Sequence, residues 1–237
     1  MGTFTESLST AAGLIATADA KLASIVGLSL QVSLTAVAFA ATIGLPLGAV
    51  MAVKRFPGRQ AIIVVLNGFM GLPSVVVGLL VYLLLSRAGP LGPYGLLFTP
   101  TAMVIAQTML ITPLMAALTR QVIEDAWREY EEQLRSLGAT PWRAALTLLW
   151  DTRFSLVVAV LAGFGRAAAE VGAVMIVGGN IDGVTRVMTT TIALETSKGD
   201  LPLAMALGLV LLAVVAVVNA LLGMVRRGHG SALAGVR

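Results

Sequence analysis

Four long stretches of this chain carry no charged residue: Leu22 to Val53, Gln60 to Ser86, Ala88 to Thr119 and Leu201 to Val225. Each exceeds the ~20 apolar residues that take a helix across a bilayer core of about 30 Å. A fifth apolar stretch, Phe154 to Ile181, is interrupted only by Arg166 and Glu170. The rest of the composition agrees. Of 237 residues, 57% are apolar and 12% charged, against roughly 45–50% and 25% in soluble domains. The pattern predicts an all-α integral membrane protein with five transmembrane helices, at 25–53, 61–86, 97–119, 154–178 and 202–225. Residues 1–24 then form an external or interfacial segment. A loop over 120–153 joins the third and fourth spans, and 226–237 make a short tail.

The basic residues set an orientation. Lys54, Arg55, Arg59, Arg120, Arg128, Arg135, Arg143, Arg153, Arg226, Arg227 and Arg237 fall on one side of the predicted spans, and Lys21, Arg87, Arg186 and Lys198 on the other. Lys and Arg collect in cytoplasmic loops, so the N-terminus is expected outside and the C-terminus inside a cell (cytoplasmic or inner) membrane. The formal net charge of +4 therefore reflects membrane orientation, and no nucleic-acid partner is expected. Cysteine is absent and His229 is the single histidine, which excludes disulfides, cysteine nucleophiles and clustered thiolate or imidazole metal sites. No basic n-region of a signal peptide precedes the first apolar run. Leu8, Ala11, Ile15 and Leu22 recur at near-helical spacing, so the N-terminal segment either lies along the outer membrane surface or is a frayed tail.

The 120–153 loop holds the densest cluster of charge in the chain and is too long to be structureless in a compact protein. Its sequence reads as two helices meeting at a corner. Gln121 to Leu137 is amphipathic, with Val122, Ala126, Tyr130, Leu134 and Leu137 on one face and Glu124, Asp125, Arg128 and Glu132 elsewhere. Gly138 follows where a helix C-cap favours positive φ. Thr140 supplies an N-cap hydroxyl and Pro141 a suitable first helical residue. The second helix, from Pro141 to about Trp150, would show Trp142, Ala145, Leu146 and Leu149 on one side. Such a corner either fits a socket in a partner protein or packs as an ordinary hairpin on the bundle.

Within the spans, Arg166 and Glu170 stand four residues apart and are expected to pair on one helical face. Charge at bilayer depth is costly unless paired or hydrated. Both therefore face the protein interior, either along a translocation path or gate, or as a structural ion pair. The external segment from Asn180 to Asp200 contains three consecutive hydroxyls, Thr189, Thr190 and Thr191. It folds either as a helix dipping back toward the path or as an outer-surface helix. Gly163, Gly165 and Gly172 allow close helix approach, and Pro46, Pro73 and Pro113 are expected to bend three spans locally.

The loop resembles the signature of inner-membrane permeases of ABC importers, which runs Glu-Ala-Ala, three residues, Gly, nine residues, Ile, one residue, Leu-Pro. Here Glu132-Gln133-Leu134 stands at the first element, Gly138 at the Gly and Leu148 at the Ile, while Trp150-Asp151 replaces Leu-Pro. Gly165-Arg-Ala-Ala-Ala-Glu-Val-Gly-Ala173, with Gly178-Gly-Asn180-Ile181, resembles the segment shared by molybdate, sulfate and tungstate permeases. Thr189 to Asp200 and Phe98 to Gln107 look like the tungstate branch. The similarity runs from about residue 22 to 225. It implies the permease fold of a type I, binding-protein-dependent importer over 25–225. It also implies a second copy of the chain, an ABC ATPase dimer on the cytoplasmic corner, and a substrate-binding protein outside. The implied coupling positions are Glu132, Gly138, Ala139, Thr140, Pro141 and Trp142. Arg166, Glu170, Asn180, Thr189, Thr190 and Thr191 are the path or gate candidates.

A phosphate-binding loop ends in Gly-Lys-Ser/Thr, yet Lys21, Lys54 and Lys198 follow Ala, Val and Ser. The chain is thus expected to be non-catalytic and to hold no cofactor, with ATP and Mg on the partner ATPase. A stand-alone secondary transporter would need repeated halves and coupling carboxylates in its spans, and only Glu170 qualifies. A membrane enzyme would need convergent polar groups that one ion pair does not supply. The cargo is expected to be an oxyanion, tungstate first, with molybdate, sulfate or another small anion as the alternative.

Overall fold

A computed structural model describes residues 2–17 and 19–234. Among the described residues every regular element is helical. The order is α1 (Gly2–Ala16), α2 (Ala20–Val53), α3 (Arg59–Met70), α4 (Ser74–Leu85), α5 (Pro100–Ser136), α6 (Pro141–Asp151), α7 (Arg153–Ala168), α8 (Gly172–Gly178), α9 (Met188–Lys198) and α10 (Leu201–Ala234). A short 3₁₀ turn, Gly92–Tyr94, lies between α4 and α5. Of the tail expected over 226–237, residues 235–237 lie outside the described residues, as do the side chains of 225–234.

Among the described residues three helices are long and apolar enough to cross a membrane: Ala20–Val53, Pro100–Ser136 and the Leu201–Leu221 part of α10. The expected five are reached only if two bent pairs, α3 with α4 and α6 with α7, each count as one span. The expected second span, 61–86, is interrupted because Gly71 and Leu72 donate back to Gly68 O and Phe69 O and close the helix. Pro73 then disfavours helical backbone at the residue before it. Pro46 and Pro113, by contrast, lie inside unbroken α2 and α5.

The third span and the first loop helix are one element. At 37 residues, α5 is about 55 Å long at 1.5 Å per residue, well beyond a bilayer core. Its charged C-terminal part, expected as a separate helix over 121–137, continues the apolar part without a cap, because no Gly or Pro intervenes between Thr119 and Leu137.

The chain divides into two compact units whose boundaries fall within or at the ends of helices. The first comprises 1–36, 73–107 and 166–218. In it Ala11 of α1 is fully buried against Leu22 and Ile25 of α2, Met188 of α9, and Leu203, Ala206 and Leu207 of α10. Helices α4 and α8 pack closely enough that a Cβ on Gly78 would lie 2.7 Å from Ala173 Cα, and one on Gly172 2.8 Å from Ser74 Oγ. The second unit comprises 37–72, 108–165 and 219–237. Its core joins Ala49, Ala52 and Val53 of α2, Ile123 of α5, and Ala144, Ala145 and Leu148 of α6.

Candidate functional site

The two polar segments picked out in the sequence form two distinct arrangements. In the first unit, α7 ends at Ala168 and α8 begins at Gly172, so the expected fourth span is broken. Arg166 and Glu170 do pair, Nη1 to Oε2 at 2.9 Å. They do not share a helical face, however, because Glu170 sits in the break. Its other carboxylate oxygen accepts from Ala173 N at 3.1 Å, at the start of α8. The Glu170 side chain is 3% exposed and that of Arg166 is 42% exposed, so the carboxylate is the buried partner.

Backbone groups freed by the break are taken up by side chains from other helices, as buried peptide groups require. Gln107 of α5 donates Nε2 to Ala167 O at 3.1 Å. Thr189 of α9 donates Oγ1 to Glu170 O at 2.7 Å. Ser29 of α2 accepts Met188 N at 2.7 Å, which seats the start of α9 beside the same place. The result is a small pocket lined by Ser29, Ser33, Gln107, Glu170 and Thr189, of about 10 Å³, room for one water molecule. Gln107 Oε1 is buried there without a hydrogen-bond partner. No tetrahedral oxyanion fits this pocket in the present conformation.

The remaining candidates on this side cap turns. Asn180 has φ 50° in a left-handed turn after Gly179. Thr190 holds it from two sides: its hydroxyl donates to Asn180 Oδ1 at 2.9 Å and its carbonyl accepts Asn180 Nδ2 at 3.3 Å. Thr191 donates to Val187 O at 2.7 Å. Thr189, Thr190 and Thr191 are all buried. Sequence reasoning thus found Arg166, Glu170 and Thr189 but assigned nothing to Ser29, Ser33 and Gln107. Their signal was a lone amide and a Ser pair four residues apart inside charge-free spans.

In the second unit the loop closes as a helix–turn–helix corner. Gly138 has φ 70°, and Gly138 N and Ala139 N donate to Arg135 O and Leu134 O. This is the paired bonding of a Schellman cap. Thr140 Oγ1 accepts Arg143 N at 3.4 Å as N-cap, with Pro141 opening α6. The buried side of α6 is Ala144, Ala145 and Leu148; of the four residues expected on one side, Ala145 is buried and Leu149 partly buried there, while Trp142 and Leu146 are exposed. Small alanines let α6 lie close on α2 and α5, which turns the bulkier residues outward. Trp142, Leu146 and Trp150 follow one another at intervals of four on the exposed face, at 55%, 47% and 73% exposure. Leu137 at the tip and Glu132 just before it are exposed too. Exposed aromatics on a helix anchored from behind are the chemistry of a protein-docking surface.

The family pattern of the binding-protein-dependent transport system inner membrane component matches residues 44–229. The chain belongs to this family. The permease is 44% identical over 209 residues to the tungstate uptake system permease protein of Peptoclostridium acidaminophilum, covering 88% of this chain and 92% of that one. To the protein of the same name in Campylobacter jejuni it is 39% identical over 165 residues, 70% of this chain and 69% of that one. A sulfate transport system permease protein of Escherichia coli is 32% identical over 182 residues, 74% and 66% of the two chains. It is a multi-pass membrane protein, and members of this family are non-catalytic transport subunits.

Proposed function

We propose that this chain is the membrane-spanning subunit of an ATP-driven importer that carries tungstate across the cytoplasmic membrane by alternating access. The observation that carries the reading is the corner at Gly138, a rigid, outward-facing aromatic helix on a permease of this family. Two relatives named for tungstate uptake stand nearer than one named for sulfate, which supports tungstate over other tetrahedral dianions. In this reading the N-terminus is outside and the corner, with the charged half of α5, is cytoplasmic. Two copies of the chain form the path, and an extracytoplasmic binding protein delivers the anion. An ABC ATPase dimer holds ATP and Mg and seats the corner.

Glu132, Gly138, Ala139, Thr140, Pro141 and Trp142 make up that coupling surface. Because Ala144, Ala145 and Leu148 fix α6 to α2 and α5, a movement imposed on Trp142 is transmitted to those helices rather than absorbed by a flexible loop. At the path, Arg166 offers one partly exposed cation whose charge Glu170 nearly neutralises. Such a group attracts a dianion weakly and releases it quickly. The break between α7 and α8 is the element that opens, and Asn180, Thr190 and Thr191 fix the turn and helix that flank it. Selectivity then rests with the external binding protein.

The complete complex in proteoliposomes is expected to accumulate tungstate only with ATP and the binding protein present. Uphill transport by the chain alone would overturn the reading. Trp142→Ala removes an exposed anchor and leaves the core untouched. Uptake and transport-coupled ATPase activity are expected to fall at least about tenfold, the cost of losing an interface hot spot, with membrane insertion unchanged. Gly138→Val strains the left-handed turn and is expected to act in the same direction. Wild-type transport by both variants would remove the corner from coupling.

Topology is open to a direct check, since the chain contains no cysteine. Thr140→Cys is expected to react with membrane-impermeant maleimide only from the cytoplasmic side and Ser197→Cys only from outside. Both positions are exposed, whereas position 190 is buried and unsuited to labelling. The opposite sidedness would invert the orientation.

A further inference from the structure

The second unit contains a charged cavity that the transport cycle above does not use. It has a volume of about 490 Å³ and lies where the end of α2, the start of α3 and the charged half of α5 converge. Four arginines line it (Arg55, Arg59, Arg120 and Arg128) against two glutamates, Glu124 and Glu131. That is an excess of two positive charges. Glu124 is held by two guanidinium groups at once: Arg59 Nη2, and Arg120 Nη1 at 2.7 Å. Arg59 is fixed further by donating Nε to Met51 O at 2.7 Å, one of the last carbonyls of α2, where the helix dipole favours a cation. Glu131 is engaged by Arg135 at 2.6 Å. Arg128 reaches Asp125 only at 3.6 Å, with both side chains more than two-thirds exposed, a weak pairing in water.

A structural ion pair needs one arginine per glutamate. Here the surplus guanidiniums are arranged around an open volume, and Gln60 and Asn67 add amides to its lining. The volume falls within the about 300–1,000 Å³ of small-molecule sites. Guanidinium forks match the paired oxygens of tetrahedral anions better than any other side chain.

We propose that this cavity binds a tetrahedral oxyanion, either free in the cytoplasm or carried as a lipid phosphate. Arg55 and Arg128 supply the charge that Glu124 leaves uncompensated, while Arg59 and Arg120 are shared between the carboxylate and the anion. The cytoplasmic placement of the cavity rests on the orientation proposed above. Binding at it does not require that the complex import tungstate.

The test is binding of radiolabelled tungstate to the full chain in nanodiscs of neutral phosphatidylcholine, compared with an Arg55→Gln/Arg128→Gln variant. Both arginines are exposed, so the variant is expected to unfold at the wild-type temperature, and that is measured alongside. One saturable site per chain, weakened at least about tenfold in the variant and by added salt, is the expected result. A second arm adds phosphatidic acid to the nanodiscs. Loss of tungstate binding there, with phosphatidic acid retained through purification by the wild type and not by the variant, assigns the site to lipid phosphate. Undiminished tungstate binding assigns it to the free anion. Equal binding by both proteins, or no tungstate binding together with equal lipid retention, overturns the proposal. Uptake by the complete complex is assayed separately. Import without binding at the cavity sinks this inference alone, and binding without import sinks the transport reading alone.

Discussion

Gly48→Ala is expected to destabilise the permease by about 1–3 kcal/mol, the cost of forcing a methyl group into a closed contact, and Gly48→Val by more. Gly48 lies in α2 where that helix crosses α5. A Cβ there would stand 2.4 Å from Ala116 O, 2.8 Å from Thr119 Cβ and 2.9 Å from Arg120 N. Two of the three obstacles are backbone atoms of a long helix and cannot swing aside. Gly44, one turn earlier, is pressed the same way, by Met115 Cβ at 2.9 Å and Thr112 O at 3.1 Å. The pair makes a seam of small residues that lets two helices meet backbone to backbone, the usual substitute for hydrophobic driving force inside a membrane. Gly27 in the same helix has nothing within 4 Å of its Cβ position. Gly27→Ala should therefore be neutral or stabilise by up to about 1 kcal/mol through helix propensity. Thermal unfolding of the three purified variants in one detergent checks the sign. A Gly48→Ala chain as stable as the wild type would show that the two helices are not in this contact.

Features set by local chemistry were legible beforehand, and those set by a packing partner were not. Charge-free length identifies spans because the cost of burying charge is local to each residue. Capping is local as well, which is why Gly138, Thr140 and Pro141 could be placed correctly from their own chemistry. The sequence misleads where a boundary depends on a partner. A break at Glu170 is hidden, since Arg166 and Glu170 have ideal helical spacing. Gln107 and Thr189, contributed by two other helices, take up Ala167 O and Glu170 O, and the Glu170 carboxylate takes Ala173 N, so the open form leaves these groups paired. The reverse holds at residue 121, where a new helix is expected because the composition changes from apolar to charged. Composition reports the solvent, while helix continuity is decided by backbone hydrogen bonds, and nothing between Thr119 and Leu137 interrupts them. Which side of α6 is buried was left open by the sequence for a related reason. Hydrophobicity alone ranks Trp142 and Leu146 with the core residues, but the close space against α2 and α5 is filled by Ala144, Ala145 and Leu148, with Leu149 partly buried beside them.

The ion pair at the break is expected to respond asymmetrically. Removing either partner of a buried pair leaves the other uncompensated, at about 3–5 kcal/mol when that other is fully buried. Arg166→Ala leaves Glu170 in that state, with a 3% exposed carboxylate keeping only Ala173 N as donor. Glu170→Ala leaves Arg166, whose side chain is 42% exposed and can turn to water. Arg166→Ala should therefore be the more destabilising, by about 3 kcal/mol against about 2, and the double variant no worse than Arg166→Ala. A larger loss in Glu170→Ala would mean that the α8 cap, rather than the ion pair, dominates. Stability alone does not separate a bolt from a gate, but uptake kinetics do. With folded complex normalised, a path role for Arg166 lowers the maximal rate in Arg166→Gln and leaves the half-saturating tungstate concentration unchanged, because in the proposed cycle capture belongs to the external protein. A purely structural role moves neither. The proposed cycle predicts the first outcome, since a cation tied by a single carboxylate to the break that opens in it changes its environment with each turnover.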